Sequence, residues 1–273
     1  MQLVRACFGE LLGTFLLVLF GTGVVASAVL TDAHIGLWQV AVVWAFGVAL
    51  AIYTTSAISG AHLNPAVSLA FALFRRQSFS PKRLLAYWAA QLAGGVLAGL
   101  AVLGVFGPLI ARFERMNGIV RGEAGSELSG MVFGEYFPNP DIIGTGEAAQ
   151  NLISPVGAAF IEGFGTAILV LIIFALTDRR NAVIPTRNLT PVLIGFTVAV
   201  LISVFAPLTQ AGWNPARDFG PRIVAYFAGW GSVAIPGPSS GFWVYIVGPL
   251  IGGPLGAAVH EFLMIPGFRR RSG

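Results

Sequence analysis

"ISGAHLNPAVSLAF" (58–71) and "TQAGWNPARDFGP" (209–221) share the triplet Asn-Pro-Ala, first at Asn64 and again 150 positions later at Asn214. Both stand in an otherwise apolar chain, where an unbroken membrane helix would carry no turn. Asn before Pro is a helix-start signal: the Asn side chain caps, and Pro at the first helical position lacks the N–H that would go unpaired there. From Pro65 to Phe74 the apolar run is 10 residues. At 1.5 Å per residue that is about 15 Å, half of a bilayer core of about 30 Å. The motif therefore predicts a half-helix. The preceding residues, Ser59 to Leu63 and Gln210 to Trp213, are then non-helical backbone at membrane depth, tolerated only where it lines a polar cavity.

The composition around the motifs supplies the membrane. Of 273 residues, 56% are hydrophobic and 10% charged, and the mean hydropathy is +0.80, too apolar for one soluble core. Six stretches reach spanning length: about 8–30, 38–58, 84–107, 155–177, 190–206 and 242–264. The first reads as a retained helix, because Glu10 interrupts it and no small-residue cleavage site follows. Cys7 is alone, so no disulfide framework exists. His34, His62 and His260 lie in separate regions without metal-ligand spacing. No nucleophile and base pair or phosphate loop stands out, so neither metal, cofactor nor enzyme chemistry is expected.

A net charge of +4 and a pI near 9.7 do not point to nucleic acid, since the basic residues are spread by topology. Arg5, the group Arg75, Arg76, Lys82 and Arg83, the group Arg179, Arg180 and Arg187, and Arg269 to Arg271 fall on one side of a six-helix bundle. The positive-inside rule makes that side cytoplasmic, with both termini there, in a plasma or inner membrane. The other side has a loop 31–37 without Lys or Arg and a segment of about 108–154 with six acidic residues against Arg112, Arg115 and Arg121. That segment reads as a structured external loop. Trp38, Trp88, Trp230 and Trp243 are expected as interfacial anchors.

The chain also repeats itself. "GELLGTFLLVLFGTG" (9–23) answers to "IEGFGTAILVLIIFA" (161–175), setting Glu10, Gly13 and Thr14 against Glu162, Gly165 and Thr166. With three helices per half, the second copy enters from the opposite face. Residues 1–273 thus read as one channel domain, with inverted repeats at about 1–107 and 155–264 joined by the external loop of about 108–154. The two half-helices would meet at their N-termini, each carrying roughly +0.5 charge, which repels cations. Asn64 and Asn214 would point amide donors into the gap and orient a passing water so that it relays no proton. Such a site passes neutral molecules and blocks ions. Glu10 and Glu162, symmetrically placed, are expected to hold the N–H groups of the two re-entrant loops. Glycines 9 and 13, 95 and 99, and 248, 252 and 256 form small-residue faces suited to close helix packing, within or between subunits.

"SGAHLNPAV" and "NPARDFGPR", with the ELLGT and EGFGT copies, resemble the major intrinsic protein family of aquaporins and glycerol facilitators over nearly the whole chain. The resemblance implies an all-α membrane protein of six transmembrane helices and two half-helices, a pore in each subunit, and a homotetramer. It implies the motifs Asn64, Pro65, Ala66 and Asn214, Pro215, Ala216 at mid-membrane, and an external constriction of Trp44, Ile202, Ala211 and Arg217. Glycerol facilitators resemble Gly and Phe at the places of Ile202 and Ala211, and water-selective members His at the place of Ile202. The set present here is similar to the nodulin-26-like branch.

Ile202 and Ala211 move bulk from one wall to the other and leave the ring apolar on three sides. Arg217 can donate to two adjacent hydroxyls while Trp44 and Ile202 receive the C–H side of a polyol. The carbonyls of Gly60, Ala61 and His62, and of Gln210, Ala211 and Gly212, would form an acceptor ladder beneath. His62 is expected to pack beside the loop. Asp218 resembles the Asp of glycerol-conducting members, and its spacing of four from Arg222 accounts for it equally as a structural ion pair. Tyr245 stands where glycerol facilitators resemble Pro. The expected function is passive passage of glycerol and other small uncharged solutes, with some water, across a lipid bilayer. The alternatives are a water-selective channel and a channel mainly for metalloid hydroxides, urea or ammonia. A secondary transporter would need a charged coupling site, and only Arg217 is expected to face the pore.

Overall fold

In the computed structural model, which describes residues 2–34, 36–181 and 187–269, each Asn-Pro pair begins a helix and each is preceded by non-helical chain. The first half comprises α1 (Gln2–Thr31), α2 (Leu37–Ser59), the half-helix α3 (Pro65–Phe74) and α4 (Leu84–Asn117). Two short helices, α5 (Glu127–Gly130) and α6 (Glu147–Gln150), lie in the connecting loop. The second half repeats the order with α7 (Pro155–Thr177), α8 (Thr190–Thr209), the half-helix α9 (Pro215–Ala225) and α10 (Val244–Val259). A π-helical turn, His260–Met264, then leads into α11 (Ile265–Arg269). Among the described residues, six helices are long and apolar enough to cross a membrane, and the chain is a multi-pass membrane protein. Arg270 and Arg271 lie outside the described residues.

Two boundaries differ from the sequence expectation. Helix α4 continues through Pro108 to Asn117, so the connecting loop begins at Gly118 and not at 108. Apolarity ends with the bilayer, whereas backbone hydrogen bonding continues until a residue turns the chain. Gly118 does so at φ 63°, its N–H donating to the Glu114 carbonyl. Helix α8 likewise runs through Pro207 to Thr209, where Gln210 turns the chain at φ 58°.

The halves interlock. Helix α1 packs on α2 and α4 as α7 packs on α8 and α10, and each half-helix leans on the last long helix of the other half, α3 on α10 and α9 on α4. Backbones touch at these crossings: a Cβ on Gly252 would fall on the Gly163 carbonyl, and one on Gly95 on that of Ala216. The glycine faces on α4 and α10 therefore serve packing within the subunit. Outward-facing Leu85, Val156 and Phe227 are exposed, as lipid-facing positions should be.

Of the tryptophans expected as interfacial anchors, Trp230 has internal work instead. Trp230 is wholly buried, its Nε1 donating to the Ser126 carbonyl at 3.2 Å and to Ser129 Oγ at 3.1 Å. Trp88 Nε1 donates to the Pro65 carbonyl at 3.0 Å, tying α4 to the start of α3. An indole N–H with a buried acceptor in reach has no need of the interface.

Candidate functional site

Each half-helix opens on the same cap. Asn64, at φ −156°, accepts from Ala66 N at 2.8 Å. Asn214, at φ −141°, accepts from Ala216 N at 3.1 Å and Arg217 N at 3.2 Å. The two caps also cross-link the halves: Asn64 Nδ2 donates to the Trp213 carbonyl at 2.9 Å, and Asn214 Nδ2 to that of Leu63 at 2.7 Å. An amide nitrogen carries two protons. Each Asn spends one on the opposite loop and keeps one for the channel that both residues line.

The loops ahead of the caps are held from behind by the paired acids. Glu10 accepts from His62 N at 3.0 Å, Leu63 N at 2.7 Å and Gln91 Nε2 at 2.7 Å. Glu162 accepts from Gly212 N at 3.1 Å, Trp213 N at 2.7 Å and Thr209 Oγ1 at 2.6 Å. With the N–H groups turned back, the chain adopts the left-handed region at matching places, Ala61 (φ 51°) and Leu63 (φ 52°) against Ala211 (φ 71°) and Trp213 (φ 40°). Such residues cost of order 1–3 kcal/mol each and cluster at functional sites. Gly60, Ala61, His62, Gln210, Ala211 and Gly212 all line the channel. The His62 ring packs against Phe71 and Phe79, each at 4.6 Å, with Nδ1 3.2 Å from Ser68 Oγ.

The channel encloses ≈ 690 Å³ and is lined from Asp32, His34 and Asp141 through the caps to Leu176, Thr177 and Thr190. Trp44 of α2, Ile202 of α8, Ala211 and Arg217 of α9 all line it and are buried. The Arg217 guanidinium lies 4.8 Å from the Trp44 ring centroid.

Sequence reasoning missed what fixes that guanidinium. Arg217 Nη1 donates to the Phe133 carbonyl at 3.3 Å, and Nη2 pairs with the carboxylate of Glu135, itself buried and lining the channel. Asp218 does not line the channel. Its carboxylate receives Arg222 Nε at 2.9 Å and Nη2 at 2.8 Å, and Glu135 N at 2.7 Å. Arg222 goes on to donate to the Ala234 carbonyl at 2.8 Å and to that of Glu135. Gln210 accepts from Tyr136 N at 2.7 Å. Asp218 and Arg222 thus hold the connecting loop, and the loop holds Arg217. Burial pushes the Glu135 carboxyl up to about 8, with the Arg217 charge pulling it the other way. Glu135 is one of six acids in its segment, and no spacing singles it out; the one signal was that Arg217, at membrane depth, needs a partner.

The profile of the Major intrinsic protein family matches residues 1–260. The chain is similar to the Glycerol uptake facilitator protein of Pseudomonas aeruginosa, 42% identical over 266 residues that cover 96% of this chain and 90% of the relative. The protein of the same name from Escherichia coli K12 is 41% identical over 261 residues, 94% of this chain and 87% of the relative. The Propanediol uptake facilitator of Citrobacter freundii is 40% identical over 265 residues, 96% and 93% of the two chains. Among solved structures, the X-ray structure of the aquaglyceroporin from Plasmodium falciparum superposes with a TM-score of 0.82 at 25% identity, covering 98% of this chain and 99% of that one.

Proposed function

The chain belongs to the major intrinsic protein family, and on that premise we propose that it is a passive channel for glycerol and other small uncharged solutes, with some water permeability and exclusion of protons and ions. It is not an enzyme. Relatives named for glycerol and for propanediol uptake support a small polyol as the solute.

The observation that carries this reading is a two-faced channel wall. Arg217 offers N–H donors beside the Glu135 carboxyl, while Ile202 offers only carbon and Trp44 chiefly the carbon of its ring. A polyol has the matching asymmetry, hydroxyls along one edge and C–H along the other. Trp44, Ile202, Ala211 and Arg217 act as the filter, with Glu135 as a further polar member of that wall. Below them the carbonyls of Gly60, Ala61, His62, Gln210, Ala211 and Gly212 accept in turn from the solute, and none of the six receives a hydrogen bond from another group among the described residues. Asn64 and Asn214 donate at the midpoint, and Glu10 and Glu162 keep both loops in place. Asp218 marks this reading through the loop it holds.

Residues 1–273 act as one channel domain of two inverted repeats. Both termini face the cytoplasm, the membrane is the plasma or inner membrane, and the assembly is a homotetramer; the Lys and Arg distribution supports the orientation, and family membership supports the assembly.

Uptake of labelled glycerol by cells lacking their own glycerol channel and glycerol kinase tests the reading. A channel gives uptake that rises linearly with concentration and stops when inside and outside are equal. Saturation, or accumulation against the gradient, would point to a transporter and overturn it.

A further inference from the structure

Behind the channel wall at the end away from Arg217, next to the lining residue Thr177, stands a second charge cluster, which solute passage as described above leaves unused. Arg75 caps half-helix α3, its N–H donating to the Phe71 carbonyl at 2.8 Å. Its guanidinium lies 4.7 Å over the Phe174 ring, donates to the Phe174 carbonyl at 3.3 Å, and pairs with Asp178 Oδ2 at 3.3 Å and Glu261 Oε1 at 3.0 Å. His260, completely buried, faces the same two oxygens: Nε2 is 3.6 Å from Asp178 Oδ2, and Nδ1 is 3.5 Å from Glu261 Oε1. Arg180 holds Asp178 from the other side at 2.7 Å and reaches Glu261 at 3.8 Å. Although His260, Asp178 and Glu261 stand close enough together to share a metal ion, both carboxylates already carry a guanidinium, and a divalent cation would have to displace it.

We propose that Arg75 is the positioning residue that keeps half-helix α3, and with it Asn64, in place, and that protonation of His260 releases this hold and lowers solute flux. Among the described residues, two guanidiniums and two carboxylates balance while the imidazole is neutral. A proton on His260 adds a positive charge that repels Arg75 and competes with it for both oxygens it shares. The proton does not go to Asp178. Burial alone would push that carboxyl up, but the Arg180 hydrogen bonds and the Arg180 and Arg75 charges hold it down at about 2. Among the described residues, the titratable and charged groups facing His260 are Arg75 from α3, Asp178 beyond the end of α7 and its own neighbour Glu261. The link to the channel is short: the Phe174 ring lies 5.9 Å from His260 and 4.8 Å from Phe71, a channel-lining residue of α3. Phe71 in turn touches the His62 ring at 4.6 Å.

The proposal rests on the channel reading, and its test separates the two. Proteoliposomes buffered equally on both sides would be given glycerol gradients in steps from about pH 7.5 down to about pH 4.5, a range that reaches well below the ordinary His midpoint of about 6.5. Hydrogen exchange of the peptide spanning 70–76, corrected for intrinsic rates, would be read at the same values. Wild type should lose several-fold in glycerol permeability on acidification and gain exchange in that peptide. H260Q should keep the neutral-pH behaviour throughout, and R75Q should be slow and exchange-prone at every pH, with R75K recovering part of the loss. Should H260Q fail to fold, R75Q carries the comparison. A wild type flat in both readouts, or an H260Q that keeps the pH response, overturns the proposal. If no glycerol passes at any pH the channel reading fails, while the exchange data still decide whether the hold is proton-dependent.

Discussion

Arg217 and Glu135 meet in the channel wall although 82 residues separate them in the chain. The contact joins the second half-helix to the connecting loop, and it sets how much charge the channel wall presents there. With the Glu135 carboxyl protonated, Arg217 stands at +1; with it ionised, the pair is neutral.

The pH dependence follows from that contact. The Glu135 carboxyl is raised from an ordinary value of 4.5 to about 8 by burial, so the folded protein holds a proton that the unfolded chain has released. Its contribution to stability is full below about 4.5 and is lost as pH rises through about 8. In function, ionisation locks Arg217 Nη2 away from solute. Glycerol permeability of proteoliposomes should therefore fall as pH rises from neutral through about 8, and E135Q should show no such fall. A wild type and an E135Q with the same profile between pH values on either side of that midpoint would rule this role out.

Ion exclusion should depend on the Arg217 charge at neutral pH. R217A removes the cation that opposes other cations and leaves only the half-helix ends to repel them. A pH-sensitive dye inside vesicles under a potassium diffusion potential should report a faster proton leak in R217A than in wild type, with glycerol still passing.

Asp218 should matter for stability through the loop it holds. Its buried carboxylate carries Arg222 and a backbone N–H of the loop. Removing one partner of a buried pair costs about 3–5 kcal/mol, because the other charge is left unmatched. D218A should lower the thermal midpoint in detergent clearly, whereas D141A, at an exposed loop position, should leave it nearly unchanged.

The division of bulk between Ile202 and Ala211 should set the ratio of solutes. A211F alone adds a ring to a channel wall that Ile202 already fills, and both glycerol and water should slow. I202G together with A211F moves the bulk across instead, and the glycerol-to-water ratio should rise above that of the single variant. Equal ratios in the two would place the discrimination elsewhere.

The parts of the molecule governed by local chemistry were readable in the chain itself. Asn-Pro dictates a cap and a start, so Pro65–Phe74 was legible to the residue. The repeated Glu-x-x-Gly-Thr placed Glu10 and Glu162 where their carboxylates meet loop N–H groups. What depended on distant partners was not readable. The end of α4 at Asn117 is a backbone event past the apolar run. Trp230 finds carbonyl and hydroxyl partners about 100 positions away, and its indole alone does not tell an anchor from a buried strut. Glu135 is one acid among several until the fold sets it beside Arg217.

Stopped-flow light scattering of proteoliposomes tests the central claim most directly. Vesicles would be mixed with equal osmotic steps of glycerol and of sucrose, with protein-free vesicles as reference. The account predicts fast shrinkage followed by rapid reswelling in glycerol, and shrinkage without reswelling in sucrose. Fast shrinkage in both solutes with reswelling no quicker than in the protein-free vesicles would make this a water channel and contradict the account.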